Sequence, residues 1–195
     1  YPEIDKADSM DLYTSRLTKG QEIFTLRSYY PALPVYLLAQ NVSIPSVALE
    51  YPTYEEFVEE LKKGYDYIGI NFNTIFFDNT LRMCRAVKEL SPKTKIILGG
   101  YGVTCLKENF QEEKELLAMV DYVCHGEGIR FVRELLGEPA DGEIRQEFPM
   151  AYIYSMGEKI GFDNVISALG CRGACEFCCT SAFFDYKEVT LVSPA

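Results

Sequence analysis

Tyr67-Ile68-Gly69-Ile70-Asn71-Phe72 is a near-continuous apolar run of strand length, and Lys95-Ile96-Ile97-Leu98-Gly99-Gly100 repeats the pattern further on. Such runs mark strands that helices cover on both faces, because no residue in them is reserved for solvent. Between the two runs, a segment from about Asn79 places Leu81, Cys84, Val87 and Leu90 at helical spacing, and Pro92 follows its end. A strand, a helix and a strand in that order predict a parallel β-α-β unit.

The rhythm extends in both directions. Upstream, EIFTL (22–26) and SVALEY (46–51) read as strands and PVYLLAQ (34–40) as a short helix. Thr53 with Glu56 three residues on reads as a capping box. The helix it opens sets Phe57, Val58 and Leu61 on one face. Downstream, EEKELLAMV (112–120) is helical in pattern, DYVCHG (121–126) is a strand, and GIRFVRELLG (128–137) is a helix closed by Gly137. Five strands alternating with helices predict an α/β domain over about 21–137. Its five-stranded parallel sheet would be doubly wound in the flavodoxin-like manner. Ligands of such sheets gather at the loops after the strands. Here those loops are Ser28–Pro31, Asn71–Phe76, Gly99–Thr104 and His125–Gly128.

Residues 1–20 read as an extension without a core face, and 138–160 as a linker, polar over 138–147 and followed by two short apolar segments, MAYIYSM and NVISAL. A last segment starts at 161, and in it a strand, NVISAL (164–169), runs straight into ALGCRGACEFCCTSAFF. Cys171, Cys175 and Cys178 stand there in a CxxxCxxC pattern. Three thiolates this close suit three irons of a cubane cluster and leave the fourth iron open to a ligand. Gly170 and Gly173 let the backbone wrap closely, and Phe177 offers an aromatic wall. Zinc is the competing reading. It wants four ligands, and the fourth would be Cys179, whose adjacency to Cys178 strains a tetrahedral site. Inert core cysteine is a poor account of four thiols in nine residues.

Charge and composition narrow the partners. The net charge of -10 repels phosphate backbones, so nucleic acid is not expected. No apolar run reaches the roughly 20 residues of a membrane span, and the charged N-terminus is not a signal peptide. Clustered cysteines then predict a metal site in a reducing cytoplasm. The chain has no initiator methionine and reads as a piece of something longer. Val192-Ser193-Pro194 reads as the opening of a helix, so a (β/α) barrel beginning at 161 would need on the order of 200 more residues.

The cysteine motif, with Phe177 before its last ligand and ISALGCRG ahead of it, resembles the signature of radical S-adenosylmethionine (radical SAM) enzymes. The resemblance implies a 4Fe–4S cluster on Cys171, Cys175 and Cys178, S-adenosylmethionine on the open iron with Phe177 near its adenine, an electron donor, and a radical reaction on an unknown small molecule. That reaction would be methyl transfer or a rearrangement, and the 195-residue chain alone would be inactive. The segments PVYLLAQ, YPTYEEFVEEL, DYIGINFNT, KIILGGYGVT and DYVCHGEGIRFVRELLGE resemble the Rossmann-like cobalamin-binding domain that precedes many radical SAM domains. That likeness implies cobalamin contacts from Ser28, Tyr29, Asn71, Asn73, Thr74, Gly99, Gly100, Tyr101, Gly102, His125, Gly126, Glu127 and Gly128. The loop after the first strand lacks the family's Asp-x-His-x-x-Gly, so cobalt is expected to bind base-off, without His125 as a ligand. Two alternatives remain open: an α/β ligand-binding or regulatory module with a zinc-stabilised tail, and a domain of this kind that binds no cobalamin.

Overall fold

Three small sheets take up the apolar runs, where the sequence predicts one. The computed structural model describes residues 28–155 and 158–192. In chain order these form β1 (Ser28–Tyr29), α1 (Leu33–Gln40), α2 (Tyr54–Leu61), β2 (Tyr67–Asn71), α3 (Phe77–Leu90), β3 (Lys95–Gly99), α4 (Gln111–Met119), β4 (Tyr122–Val123), α5 (Gly128–Leu135), β5 (Ala151–Ser155), β6 (Glu158–Phe162), β7 (Ala168–Gly170), α6 (Cys179–Phe183) and β8 (Glu188–Thr190). Short 3-10 turns cover Thr74–Phe76 and Tyr101–Cys105. The described residues divide into two units, one of 28–57 with 145–165, the other of 58–144 with 166–192.

The second unit holds the parallel sheet, in the order β2-β3-β4. Tyr67 to Asn71 pair in register with Lys95 to Gly99, and Ile97 and Leu98 pair with Tyr122 and Val123. Central β3 is covered on both faces: Ile96, Ile97 and Leu98 are all buried. Edge strand β2 is not, since Ile70 is buried while Gly69 and Asn71 are exposed. The helix predicted from Leu81, Cys84 and Val87 forms as α3 and buries all three, but Leu90 turns to solvent. Leu116 of α4 and Ile129 of α5 complete the core, and Phe72, just past β2, is almost wholly enclosed. Asp121 ties this core together. Its carboxylate accepts from Lys88 Nζ at 2.9 Å, Lys95 Nζ at 2.8 Å and the Ile96 amide at 2.9 Å.

The five-stranded, doubly wound sheet is therefore corrected to three parallel strands among the described residues. SVALEY forms no strand. It is flanked by Pro45 and Pro52, its last residue Tyr51 has a left-handed backbone (φ 44°), and Val47 points into solvent. Glu50, which SVALEY contributes, caps the start of α1 through the Ala32 amide and accepts from Tyr29 Oη at 2.6 Å and Tyr36 Oη at 3.3 Å. EIFTL lies outside the described residues, as do the extension 1–20 and Ser193–Pro194.

The first unit carries an antiparallel sheet in the order β1-β5-β6. Ser28 and Tyr29 thus belong to a different sheet from the parallel strands. The ring of Tyr29 lies 5.3 Å from that of Tyr152, and Lys159 Nζ stands 3.9 Å over the Tyr152 ring. Buried Asn41 follows α1. It donates to Leu37 O and Arg145 O and accepts from the Arg145 amide.

β7, which leads into the cysteines, pairs with β8 in antiparallel fashion (Ala168 with Thr190, Gly170 with Glu188). The parallel partner that would start a (β/α) barrel is not formed among the described residues. A short hairpin-like ladder closes instead, because the chain turns back through the left-handed pair Asp185 (φ 52°) and Tyr186 (φ 55°) directly after α6.

Candidate metal centre

The cysteine loop rises from β7 and ends in α6. Gly170, at its base, has φ 84°, and a Cβ there would meet Phe184 Cβ at 3.0 Å, so only glycine fits. Cys171 and Cys178 are partly exposed, Cys175 and Cys179 are exposed, and all four thiols are free. Cys171 Sγ accepts from the Gly173 amide at 3.3 Å, and Cys175 Sγ lies 3.8 Å from Gly173 O. A Cβ on Gly173 would stand 3.3 Å from the first sulfur and 3.7 Å from the second. The glycine therefore lets two thiols share one turn. Ala174 holds a left-handed φ of 49°, and the Cys178 amide donates to Cys175 O at 3.0 Å to close the second turn.

Cys178 is the N-cap residue of α6. Its side chain makes no capping hydrogen bond of full geometry, yet three groups bias it toward thiolate. The Thr180 amide, the Thr180 hydroxyl and the Ser181 amide lower the thiol pKa against a smaller opposing effect of burial. Phe177 is 93% exposed, so it walls nothing in this arrangement. Among the described residues no three metal-ligating side chains converge on one point. The donor set fits a soft metal or an iron–sulfur cluster, with three sulfurs inside eight residues, two sharing a glycine and the third favouring thiolate. The convergence that coordination needs is not formed.

Three of the four loops predicted to receive a cofactor meet at the C-terminal end of the parallel sheet. The fourth, Ser28–Pro31, is in the other unit, where burial and then Glu50 raise the pKa of Tyr29. Within the three loops, the polar and small residues are largely engaged with one another. Gly100 (φ 96°) packs under Asn71 Oδ1, and a Cβ there would stand 2.7 Å from Phe72 O. At Gly102 a Cβ would press on the Phe72 ring at 2.7 Å. Gly99 abuts buried Cys124. Asn73 caps the turn that Thr74 opens, accepting from the Ile75 amide at 3.3 Å. Glu127 caps α5 by accepting from the Ile129 amide at 2.6 Å and the Arg130 amide at 2.8 Å. The helix entry after Gly128 therefore already holds an anion. Exposed His125 and Gly126 (φ 84°) complete the third loop.

Sequence reading missed what covers this end of the sheet. Phe183 and Phe184, both buried, come from α6. Phe183 lies 5.0 Å from the Tyr101 ring, Phe184 lies 6.4 Å from it, and a Cβ on Gly126 would stand 3.5 Å from Phe183 O. Ser181 is buried beside them, and its Oγ finds no hydrogen-bond partner among the described residues. The one signal was the SAFF that follows the last cysteine, an apolar pair too short to show a period. No known protein family, curated protein or solved structure matches the chain.

Proposed function

We propose that this chain carries the cluster-binding segment of a radical SAM enzyme. In this reading Cys171, Cys175 and Cys178 hold a 4Fe–4S cluster, which supplies the electron that cleaves S-adenosylmethionine to a 5′-deoxyadenosyl radical. The observation that carries the reading is the thiol trio itself: CxxxCxxC on one solvent-facing loop, with Cys171 and Cys175 sharing Gly173 and Cys178 biased toward thiolate. Exposed Phe177 presents a ring face free to stack on adenine. The reaction is assigned no further than methyl transfer or rearrangement of a small molecule, with an external electron donor.

Cobalamin belongs to the same proposal under a condition. The loops at Asn71–Thr74, Gly99–Gly102 and His125–Gly128 stand at the end of the parallel sheet where it would bind, and Phe183 and Phe184 cover that end. Binding therefore requires α6 to move aside. Titration with hydroxocobalamin reads this: a base-off cobalt spectrum supports it, and unchanged visible bands withdraw the cobalamin part alone.

Anaerobic reconstitution with iron and sulfide tests the cluster. The expected product is a brown protein whose charge-transfer absorption is lost in Cys171→Ala, Cys175→Ala and Cys178→Ala and kept in Cys179→Ala. Stoichiometric zinc that depends on Cys179 would establish the structural-zinc reading instead. A wild-type chain that takes up no iron sinks the assignment.

A further inference from the structure

The aromatic group at the end of the parallel sheet touches both ends of the cysteine loop. Phe184 lies against Gly170, the residue before Cys171. Phe183 ends α6, whose N-cap is Cys178. The two rings stand 5.0 Å apart at 84°, edge to face. Tyr101 meets both from the sheet side, at 5.0 Å and 57° to Phe183 and at 6.4 Å and 71° to Phe184. Its own position is fixed by the loop it stands on. Gly100 before it and Gly102 after it are wedged against Phe72, and the Gly102 amide donates to Phe72 O at 3.1 Å. The cysteine loop from Cys171 to Cys178 is therefore open to solvent at its tip and clamped at its base, and the aromatic side chain that the sheet end adds to that clamp is Tyr101.

We propose that Tyr101 is a positioning residue for the cluster, acting through Phe183, Phe184 and α6 to set where Cys178 stands relative to Cys171. This rests on the cluster reading above and replaces a direct cofactor contact at Tyr101 with an indirect one. A cluster needs its sulfurs at fixed separations, and second-shell groups that orient ligands govern both loading and potential. α6 is only five residues long. It has little hydrogen bonding of its own to hold Cys178, so its placement comes from the rings packed beneath it. Aromatic pairs of this geometry stabilise one arrangement by enough to shift a positional equilibrium about two- to tenfold.

The test compares Tyr101→Ala, Tyr101→Phe and a control, Leu116→Ala, which opens a cavity at a fully buried position of α4. The first readout needs no metal: the rate at which iodoacetamide alkylates Cys178 relative to Cys175 in the metal-free chain, mapped by peptide mass spectrometry. Tyr101→Ala is expected to change that ratio by about two- to tenfold. Tyr101→Phe, which keeps the ring, should restore it, and Leu116→Ala should leave it in place. The second readout is the midpoint potential and electron paramagnetic resonance signal of the reconstituted cluster, expected to shift in the same order. A ratio unchanged in Tyr101→Ala, or changed equally in Leu116→Ala, overturns the proposal. Absence of iron uptake in the wild-type chain removes the cluster reading, while the alkylation ratio alone still decides whether Tyr101 governs Cys178.

Discussion

At the scale of single residues, the seven cysteines sort by environment. Burial pushes the Cys84 thiol up to about 12, and burial with the nearby Glu127 charge does the same for Cys124. Both should stay unalkylated at neutral pH until denaturant is added. Cys178 is moved the other way by the Thr180 amide and hydroxyl and the Ser181 amide. Its alkylation rate should rise with pH through a midpoint below that of an unperturbed thiol, and Thr180→Ala should move that midpoint upward. A midpoint at or above the free-thiol value would show that α6 does not favour the thiolate. Spacing alone marked Cys171, Cys175 and Cys178 as candidates, because ligand type and separation are written in the chain. Tyr101 was legible only as a loop residue and, through the resemblance, as a cobalamin contact; its role beneath α6 was not. Its partners Phe183 and Phe184 lie about 80 positions away, and nothing local announces such a contact.

At the scale of elements, local rules held where they were strong. The capping box formed as read: the Glu56 amide donates to Thr53 Oγ1 at 3.2 Å, and the Thr53 amide donates to Glu56 Oε2 at 3.0 Å. The helical face of Leu81, Cys84 and Val87 was readable for the same reason, since periodicity records which side is buried. SVALEY was misread because an apolar run fits a strand or a pinned coil equally well, and prolines on both sides with a left-handed Tyr51 decide for coil. Asp121 binds three elements. Burial alone would raise its pKa, but Lys95, the Ile96 amide and Lys88 outweigh that and hold it well below the ordinary carboxylate range. The sign follows from the depressed folded value. The stabilisation is fully present above the unfolded carboxylate pKa of about 4 and is lost as pH falls through the folded one. Asp121→Asn is expected to cost about 1–2 kcal/mol in urea unfolding near neutral pH. The difference from wild type should shrink in acid, and a gap that does not narrow with acid would exclude this origin.

At the scale of the whole molecule, each unit is assembled from two separated stretches of chain. The stretch from Asp141 to Glu143 is exposed and lies at the end of the first of the second unit's two stretches. A single proteolytic cut there is expected to leave the two fragments co-eluting in native size-exclusion chromatography. Residues 166–192 remain packed on the parallel sheet through α6, and β5 remains paired with β1. Separation of the fragments without denaturant would contradict this assembly. Among the described residues no helix is long and apolar enough to cross a membrane. The order of helices and strands around the β-α-β centre, the thiol spacing and the acidic charge were fixed by the chain itself, since each depends on neighbours within a turn or two or on composition. How many strands join the parallel sheet, which sheet receives Ser28 and Tyr29, and what closes over Gly99–Gly102 were decided only by tertiary packing. Those outcomes turn on contacts between distant segments, where several apolar runs compete for the same partners and only the assembled core selects among them.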